Sequence, residues 1–426
     1  MNELLKESLL DYADKVISAQ ICYLSVDDSG GDGTIIRKDE RQLINMGNCG
    51  YLGLEHEQIV KEGSINAINT HGLHLSSSRA YISSNLYQSL EEKLTQIFGR
   101  PVVLAQSTHL IHLAVLPLII NTKDLLIVDQ QVHRSVQVIG EYLSGRGVTT
   151  EYILHSHLGQ LSALLDEHKH KYQKVWYLAD GIYSMFGDRS PNEQLLQLLK
   201  DNEQLHIYFD DAHGMSCFGE KGEGWSLSGC LKGHPRVYVA TSLRKGFGAE
   251  GAVFTCQDEA VCKLVRHMGG PVIFGGPISN GGLGAANVSA DIHLSGQLAY
   301  FQSKLNENIK YCQSLLELNN LPVYSDPETP IFFIGVGDPD DGVKLVQRMM
   351  VCGFYCNIAI FPAVSKKHTG LRFTLTARHT TTQIENFVET LKDELINILA
   401  LSKKTIHDVD SAFERVAFYK RKTVMQ

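Results

Sequence analysis

A chain of 426 residues with 43% hydrophobic and 20% charged residues and no low-complexity tract is globular in composition and long enough for two or more subdomains. A formal net charge of −8 and a pI near 6.1 argue against a nucleic-acid binder, which carries a concentrated basic footprint. Nine scattered cysteines form no disulfide framework, and Cys352 and Cys356 lack a second close pair at zinc spacing. Reduced thiols, a cytoplasmic location and no metal are therefore expected.

In chain order, the opening MNELLKESLLDYADKVIS has helical apolar spacing and lacks the charged start and apolar core of a signal peptide. AQSTHLIHLAV, from position 105, reads as a strand end and a helix start, with Ser107 and Thr108 at the N-cap. The apolar stretch LIHLAVLPLII from Leu110 is too short to span a bilayer, carries His112 and Pro117, and reads as a buried helix. DLLIVD (124–129), TTEYIL (149–154), KVWYLAD (174–180), LHIYFDD (205–211), RVYVAT (236–241) and GAVFTC (251–256) read as strands. GQLSALLDEHKHKY and PNEQLLQLLKDNEQ lie among them with helical patterns, which implies βαβ units and a mostly parallel sheet. The histidines of HSH (155–157) and HKH (168–170) read as solvated surface, and FYKRKTVMQ (418–426) as a solvated tail.

Beyond about residue 300 the pattern changes. A helix QLAYFQSKLNENIKYCQSLLEL leads to a strand IFFIGV, a helix, strands YCNIAIF and LRFTLT, and a helix TQIENFVETLKDELINILALS. The expected organisation is α/β throughout: an N-terminal segment 1–65, a large domain 66–300 and a smaller C-terminal domain 301–426.

Parallel sheets bind ligands at the carboxyl ends of their strands, and Asp180, Asp210 and Ser242 all fall at or just beyond such ends. YFDDAHGM (208–215) is either an ordinary strand-to-loop turn or a site in which Asp210 pairs with a protonated ring nitrogen and His213 orients the ring. TSLRKGFGAEGA (241–252) holds Lys245 beside Arg244, and glycines 246 and 248 would let backbone approach a bulky cofactor. Neighbouring positive charge or desolvation lowers a lysine's pKa, as a Schiff-base lysine requires; the alternative, an exposed lysine in a turn, is weakened by the apolar strand that leads into it. GxxxxGK[ST] is absent, which excludes a P-loop. The N-terminus of the helix after Ser107 can hold a phosphate on its unpaired N–H groups, although the same pattern caps ordinary helices. His133 follows the strand at 124–129.

Taken together, GNCGYLGL, LADGIYSMFGDRSP, YFDDAHGMSCFGEKGEG, TSLRKGFGAEGA and LRFTLTARH resemble the α-oxoamine synthases, which are fold-type I pyridoxal-phosphate transferases. The resemblance implies that Lys245 forms the Schiff base and moves protons at the substrate α-carbon. It implies that Asp210 pairs with the pyridine nitrogen, His213 contacts the ring hydroxyl, His133 stacks on the ring and Ser184 sits beside it. Ser107, Thr108, His109 and Ser242 join the cofactor-binding set, and Arg372 receives the substrate carboxylate. The implied cofactor is pyridoxal 5'-phosphate. The implied reaction is a decarboxylative condensation of an amino acid with an acyl-CoA or acyl-carrier protein, in a homodimer with its active site at the interface.

Several positions depart from the family pattern: Cys49 and Gly50 before YLGL, Thr108 after Ser107, Ser242 and Arg244 before the lysine, and Gly275-Gly276 in IFGGPIS. Together they suggest a divergent member, in secondary metabolism or signal synthesis. Two alternatives stand beside it: an aminotransferase or lyase on the same fold, and a non-catalytic partner subunit, which would have no need of Lys245, Asp210, His213 and His133 together.

Overall fold

The apolar runs become the inner strands of a sheet because their side chains are buried on both of its faces. In the computed structural model, which describes residues 3–414, seven strands form one sheet. Their order is Val102–Ala105, Ala252–Thr255, Val237–Ser242, Leu205–Asp210, Val175–Asp180, Leu125–Asp129 and Thr149–Ile153. Ala252–Thr255 runs antiparallel to both its neighbours, and the other four pairings are parallel.

Alternation sends Ile127, Tyr177, Ile207 and Val239 into one apolar core and Val128, Trp176, Tyr208 and Tyr238 into another. Successive side chains of a strand point to opposite faces, so a sheet covered on both faces needs apolar residues at every position. Thr149–Ile153 is the edge strand beside Leu125–Asp129 and is largely exposed or half-buried, as its Thr-Thr-Glu start allows.

The chain divides into two compact units. One comprises Leu54–Tyr183 and Arg189–Gln302 and contains this sheet. The other gathers the described residues up to Gly53, Ser184–Asp188 and those from Ser303 onward. In the second unit, Ile331–Gly337 and Asn357–Ala359 flank Thr369–Thr374, all antiparallel. Ile35–Lys38, Arg41–Asn45 and Phe354–Tyr355 form another small sheet. The single strand expected over YCNIAIF is therefore two short strands in different sheets: Phe354–Tyr355 pairs parallel with Arg41–Asn45, and the chain turns out of that pairing at Cys356. The helix Thr381–Leu401 begins with a capping box between Thr380 and Gln383. FYKRKTVMQ lies outside the described residues. No helix among the described residues is long and apolar enough to cross a membrane.

Two helices of the sheet-bearing unit pack unusually closely. Asn280–Leu294 lies against Gln58–His71, and glycine is what lets the backbones meet. A Cβ on Gly284 would stand 2.3 Å from the Gly63 carbonyl oxygen and 2.5 Å from Ala67 Cβ. The oxygen belongs to a helix backbone and cannot step aside. Gly284→Ala is expected to lower the free energy of unfolding by about 2–3 kcal/mol, the range for overpacking a filled core, even though alanine is the better helix former. A urea titration of the purified variant beside the parent measures it.

Candidate active site

The carboxyl end of the sheet gathers the polar residues. Parallel pairing sets Asp180 opposite Asp210, and Asp210 opposite Ala240 in the strand that ends at Ser242. Ala252 pairs with both Ala105 and Ser242, so the Ser107 turn leaves the sheet at the same end. Asp210 is buried, 4% exposed, at the end of an apolar strand. Its Oδ2 lies 2.9 Å from His112 Nε2, and its Oδ1 accepts from the Ala212 N–H at 3.1 Å.

His112 projects from the helix Thr108–Ile119 and has no exposed surface; its Nδ1 lies 2.8 Å from the Tyr208 hydroxyl. Burial pushes the Asp210 carboxyl up, but the charge and hydrogen bond of His112, then His133 and Lys245, outweigh it and hold it at about 2. Asp180 goes the other way. Burial raises it well above the usual carboxylate range, and the negative charge of Asp210 adds to that. Two buried carboxyls on adjacent strand ends are thus shifted in opposite directions.

Lys245 Nζ lies 2.7 Å from His213 Nε2. An ammonium only donates, so a charged Lys245 places the imidazole proton of His213 on Nδ1. The His133 N–H donates to Asp180 Oδ1 at 3.0 Å, and its Nδ1 lies 2.6 Å from Ser135 Oγ at the start of the helix Arg134–Gly145. Burial lowers the His133 pKa; Asp210 pulls it back up, while Lys245, His112 and His109 add to the lowering. His133, Asp210, Lys245, His109 and His112 therefore share one electrostatic neighbourhood.

Ser107 caps Thr108–Ile119, its hydroxyl accepting from the Leu110 N–H at 3.4 Å. The amides of Thr108 and His109 belong to the first turn, whose N–H groups have no partner within the helix. Ser242 Oγ accepts from the Arg244 N–H at 3.1 Å. Arg372 and Ser184 come together in the other unit: the Arg372 Nε donates to the Ser184 carbonyl at 2.7 Å, with Asn357 Oδ1 3.5 Å from its Nη1.

The departures find local partners. Arg244 is half-exposed and ion-paired with Glu250 at 3.5 Å, and Glu250 also accepts from Ser279 Oγ at 2.5 Å. Gly275 packs over Leu110 Cδ1, at 3.1 Å from where its Cβ would be, on the helix that Ser107 caps.

Three readings of the sequence need correction. Glycines 246 and 248 answer to the protein itself: a Cβ at Gly246 would stand 2.8 Å from the Met215 carbonyl, and one at Gly248 2.5 Å from the Glu55 nitrogen. His155 and His168 are buried rather than solvated, His155 Nδ1 lying 3.1 Å from the buried Asp129 Oδ1. Asp211 is likewise inside, 1% exposed, where a turn residue would face solvent.

The Asp211 Oδ2 accepts from the Ser226 N–H at 2.8 Å and from the Ser226 hydroxyl at 2.6 Å. Its carboxylate fills space that side chains at Gly181, Gly214 and Gly224 would need, since each of their Cβ positions falls within 2.4 Å of a carboxylate oxygen. Asp211 thereby ties the 211–226 loop, which carries His213, to the end of the sheet.

The arrangement fits a pyridoxal-type ring and its phosphate. A buried carboxylate that stays ionised keeps spare lone pairs for a protonated ring nitrogen, since each oxygen holds two and one neighbour each is in place. An amine sits beside an imidazole, and a capped helix start supplies unpaired amides. The fold and this donor set define a fold-type I pyridoxal-phosphate enzyme.

A sequence profile of the aminotransferase class I and II family matches residues 41–391, and the chain belongs to that family. It is 28% identical over 366 residues to a serine palmitoyltransferase of Bacteriovorax stolpii, covering 84% of each chain. It is 27% identical over 365 residues to an 8-amino-7-oxononanoate synthase of Maricaulis maris, covering 85% of this chain and 89% of that one. Among solved structures, serine palmitoyltransferase from S. paucimobilis with a bound PLP–myriocin aldimine superposes with a TM-score of 0.84 at 18% identity, over 94% of this chain and 100% of that one. The 8-amino-7-oxononanoate synthase from Francisella tularensis gives 0.69 at 20% identity, over 83% and 98%. These relatives are α-oxoamine synthases, and the chain is an enzyme of that type, dependent on pyridoxal 5'-phosphate.

Burial pushes the Asp211 carboxyl up to about 7, against the bonds from Ser226 that favour its charge. A raised folded pKa contributes stability that is complete below the unfolded value of about 3.9 and is lost as pH rises through about 7. Asp211→Asn is expected to remove this component, on the order of 3–4 kcal/mol across that window. Unfolding free energies of parent and variant, measured at intervals from pH 4 to pH 8, should differ in slope with the parent falling more steeply.

Proposed function

We propose that the chain condenses an amino acid with an acyl thioester, acyl-CoA or acyl-carrier protein, with loss of CO₂ and release of the thiol. The observation that carries this reading is the contact of Lys245 with His213 beside an Asp210 held ionised by His112. When bound, pyridoxal phosphate supplies an electron sink for charge at the substrate α-carbon.

Lys245 holds the cofactor and moves the proton at that carbon. Asp210 would keep the ring nitrogen protonated, His213 would hold the ring hydroxyl, and His133 would meet the ring. The Ser107–Thr108–His109 helix start and Ser242 take the phosphate. The same reading assigns Ser184 to the cofactor and Arg372 to the substrate carboxylate. The thioester carbonyl is the electrophile. Its thiol leaves as the new carbon–carbon bond forms, and the carboxylate held by Arg372 departs as CO₂ once the α-carbon carries the acyl group.

A homodimer accompanies this function. In the sheet-bearing unit Leu73, Tyr81, Ile82, Ile65 and Phe274 stand more than half exposed, apolar side chains that a second copy would cover. Sedimentation should give twice the 47.3 kDa chain mass, and Tyr81→Lys with Ile82→Asp should shift it toward one. A cytoplasmic location suits intracellular thioesters and nine cysteines that no disulfide links.

The deciding assay incubates the cofactor-loaded enzyme with amino acids and acyl-CoAs and follows free thiol and CO₂. Stoichiometric release of both, requiring both substrates, is expected. Keto-acid or ammonia formation without a thioester would replace the proposal by the aminotransferase or lyase reading. Lys245→Ala should lose the visible band of the lysine-bound cofactor and lower kcat about a thousandfold, within the range for removing an acid–base group. Arg372→Ala should raise KM for the amino acid about tenfold or more through loss of a charged hydrogen bond.

A further inference from the structure

Ser216 lies three residues past His213, fully buried, with φ at 70°, a left-handed conformation that side chains with a Cβ disfavour. All its polar atoms are engaged. Its N–H donates to the Gly222 carbonyl at 2.8 Å, its carbonyl accepts from Gln302 Nε2 at 2.9 Å, and its hydroxyl lies 2.8 Å from His293 Nε2. A strained residue persists where its surroundings over-determine it.

His293 is 2% exposed on the helix Asn280–Leu294, and its Nδ1 lies 2.7 Å from the Ser289 carbonyl one turn back. A carbonyl only accepts, so Nδ1 carries the proton and donates. Burial holds His293 down at about 4, which leaves the ring neutral and Nε2 a lone pair that takes the Ser216 proton. Ser289 in turn donates its hydroxyl to the Phe247 carbonyl at 2.6 Å, and the rings of His293 and Phe247 lie 4.6 Å apart. Phe247 is two residues past Lys245. The same two loops touch directly, because a Cβ at Gly246 would lie 3.3 Å from Ser216 Cβ.

We propose that His293 is a positioning residue: through Ser216 on one side and Ser289 and Phe247 on the other, it fixes the spacing of His213 and Lys245. The inference rests on Lys245 being the cofactor-binding lysine. Helix Asn280–Leu294 is the rigid bar, and the two loops are hung from it by hydrogen bonds whose donors and acceptors are set by the tautomer.

The test compares Ser216→Ala, His293→Leu and His293→Gln in the full chain. Ser216→Ala deletes one hydroxyl and keeps a Cβ, so it is the variant expected to fold even where His293→Leu does not. His293→Gln keeps an acceptor for Ser216. Ser216→Ala and His293→Leu should lower kcat about tenfold or more with the amino-acid KM within about twofold, the signature of misplaced reacting groups. Backbone hydrogen exchange in peptides spanning 213–218 and 245–249 should accelerate in both, with cofactor and without it. His293→Gln should restore kcat to within about threefold of the parent.

Unchanged kcat and exchange in a folded Ser216→Ala would overturn the inference, as would His293→Gln falling as far as His293→Leu. Lys245→Ala run alongside separates the two failures. If it keeps the visible band of a lysine-bound cofactor, the reading of Lys245 falls and the inference with it. If the band is lost while Ser216→Ala is unaffected, the inference alone falls.

Discussion

A carboxylate at the end of a buried strand can stay ionised only if something repays its lost hydration, and around Asp210 that partner is His112. Stripping water from a carboxylate costs several kcal/mol even after the protein relaxes. At Asp210 this is opposed by a donor 2.9 Å away that is itself wholly buried and braced by Tyr208. The helix Thr108–Ile119 therefore has two tasks at once. Its first turn offers unpaired amides next to Ser107, and one turn further in it supplies His112. Any displacement of the helix would disturb those amides and the partner of Asp210 together.

The neighbouring acids show how environment divides one residue type into different parts. Asp210 is held down by a cation-bearing neighbourhood, Asp180 is driven up by burial beside it, and Asp211 sits near neutrality in a pocket of glycines and Ser226. The first has the charge that a protonated ring nitrogen requires. Asp211 works on the loop instead. Its carboxyl takes the room beside Gly181, Gly214 and Gly224, so the chain from Asp210 to Ser226 closes over it with His213 in a fixed place. Asp180 takes the His133 amide and so orients the start of the next helix.

The strands were legible in the sequence because a sheet buried on both faces leaves an unbroken apolar signature, and DLLIVD, KVWYLAD and LHIYFDD carry it plainly. Their ends were legible for the same reason, since the first acid or serine after such a run marks where the sheet meets solvent or ligand. His112 was not legible as the partner of Asp210, because an isolated histidine in an apolar helix looks the same whether it meets a carboxylate or a carbonyl. Its only signal was a polar residue at a position that helical spacing buries. Asn280–Leu294 has the opposite problem: its glycines argue against a helix in isolation, and the reason for Gly281 and Gly284 is a second helix more than two hundred residues earlier. YCNIAIF reads as one strand because alternation cannot reveal that a chain changes sheet at Cys356.

The glycines around Lys245 carry the most general lesson. A glycine-rich stretch beside a lysine suggests room for a ligand, yet here the missing side chains make room for the protein's own backbone, at Met215 for Gly246 and at Glu55 for Gly248. Close packing of the lysine loop against the His213 loop is what the proposed proton-transferring role of Lys245 would need, because a heavy-atom separation near 2.7 Å tolerates little drift. Absent side chains on one loop and a buried serine–histidine pair behind the other are then two means to a single end: a lysine held still by its neighbours before any substrate arrives.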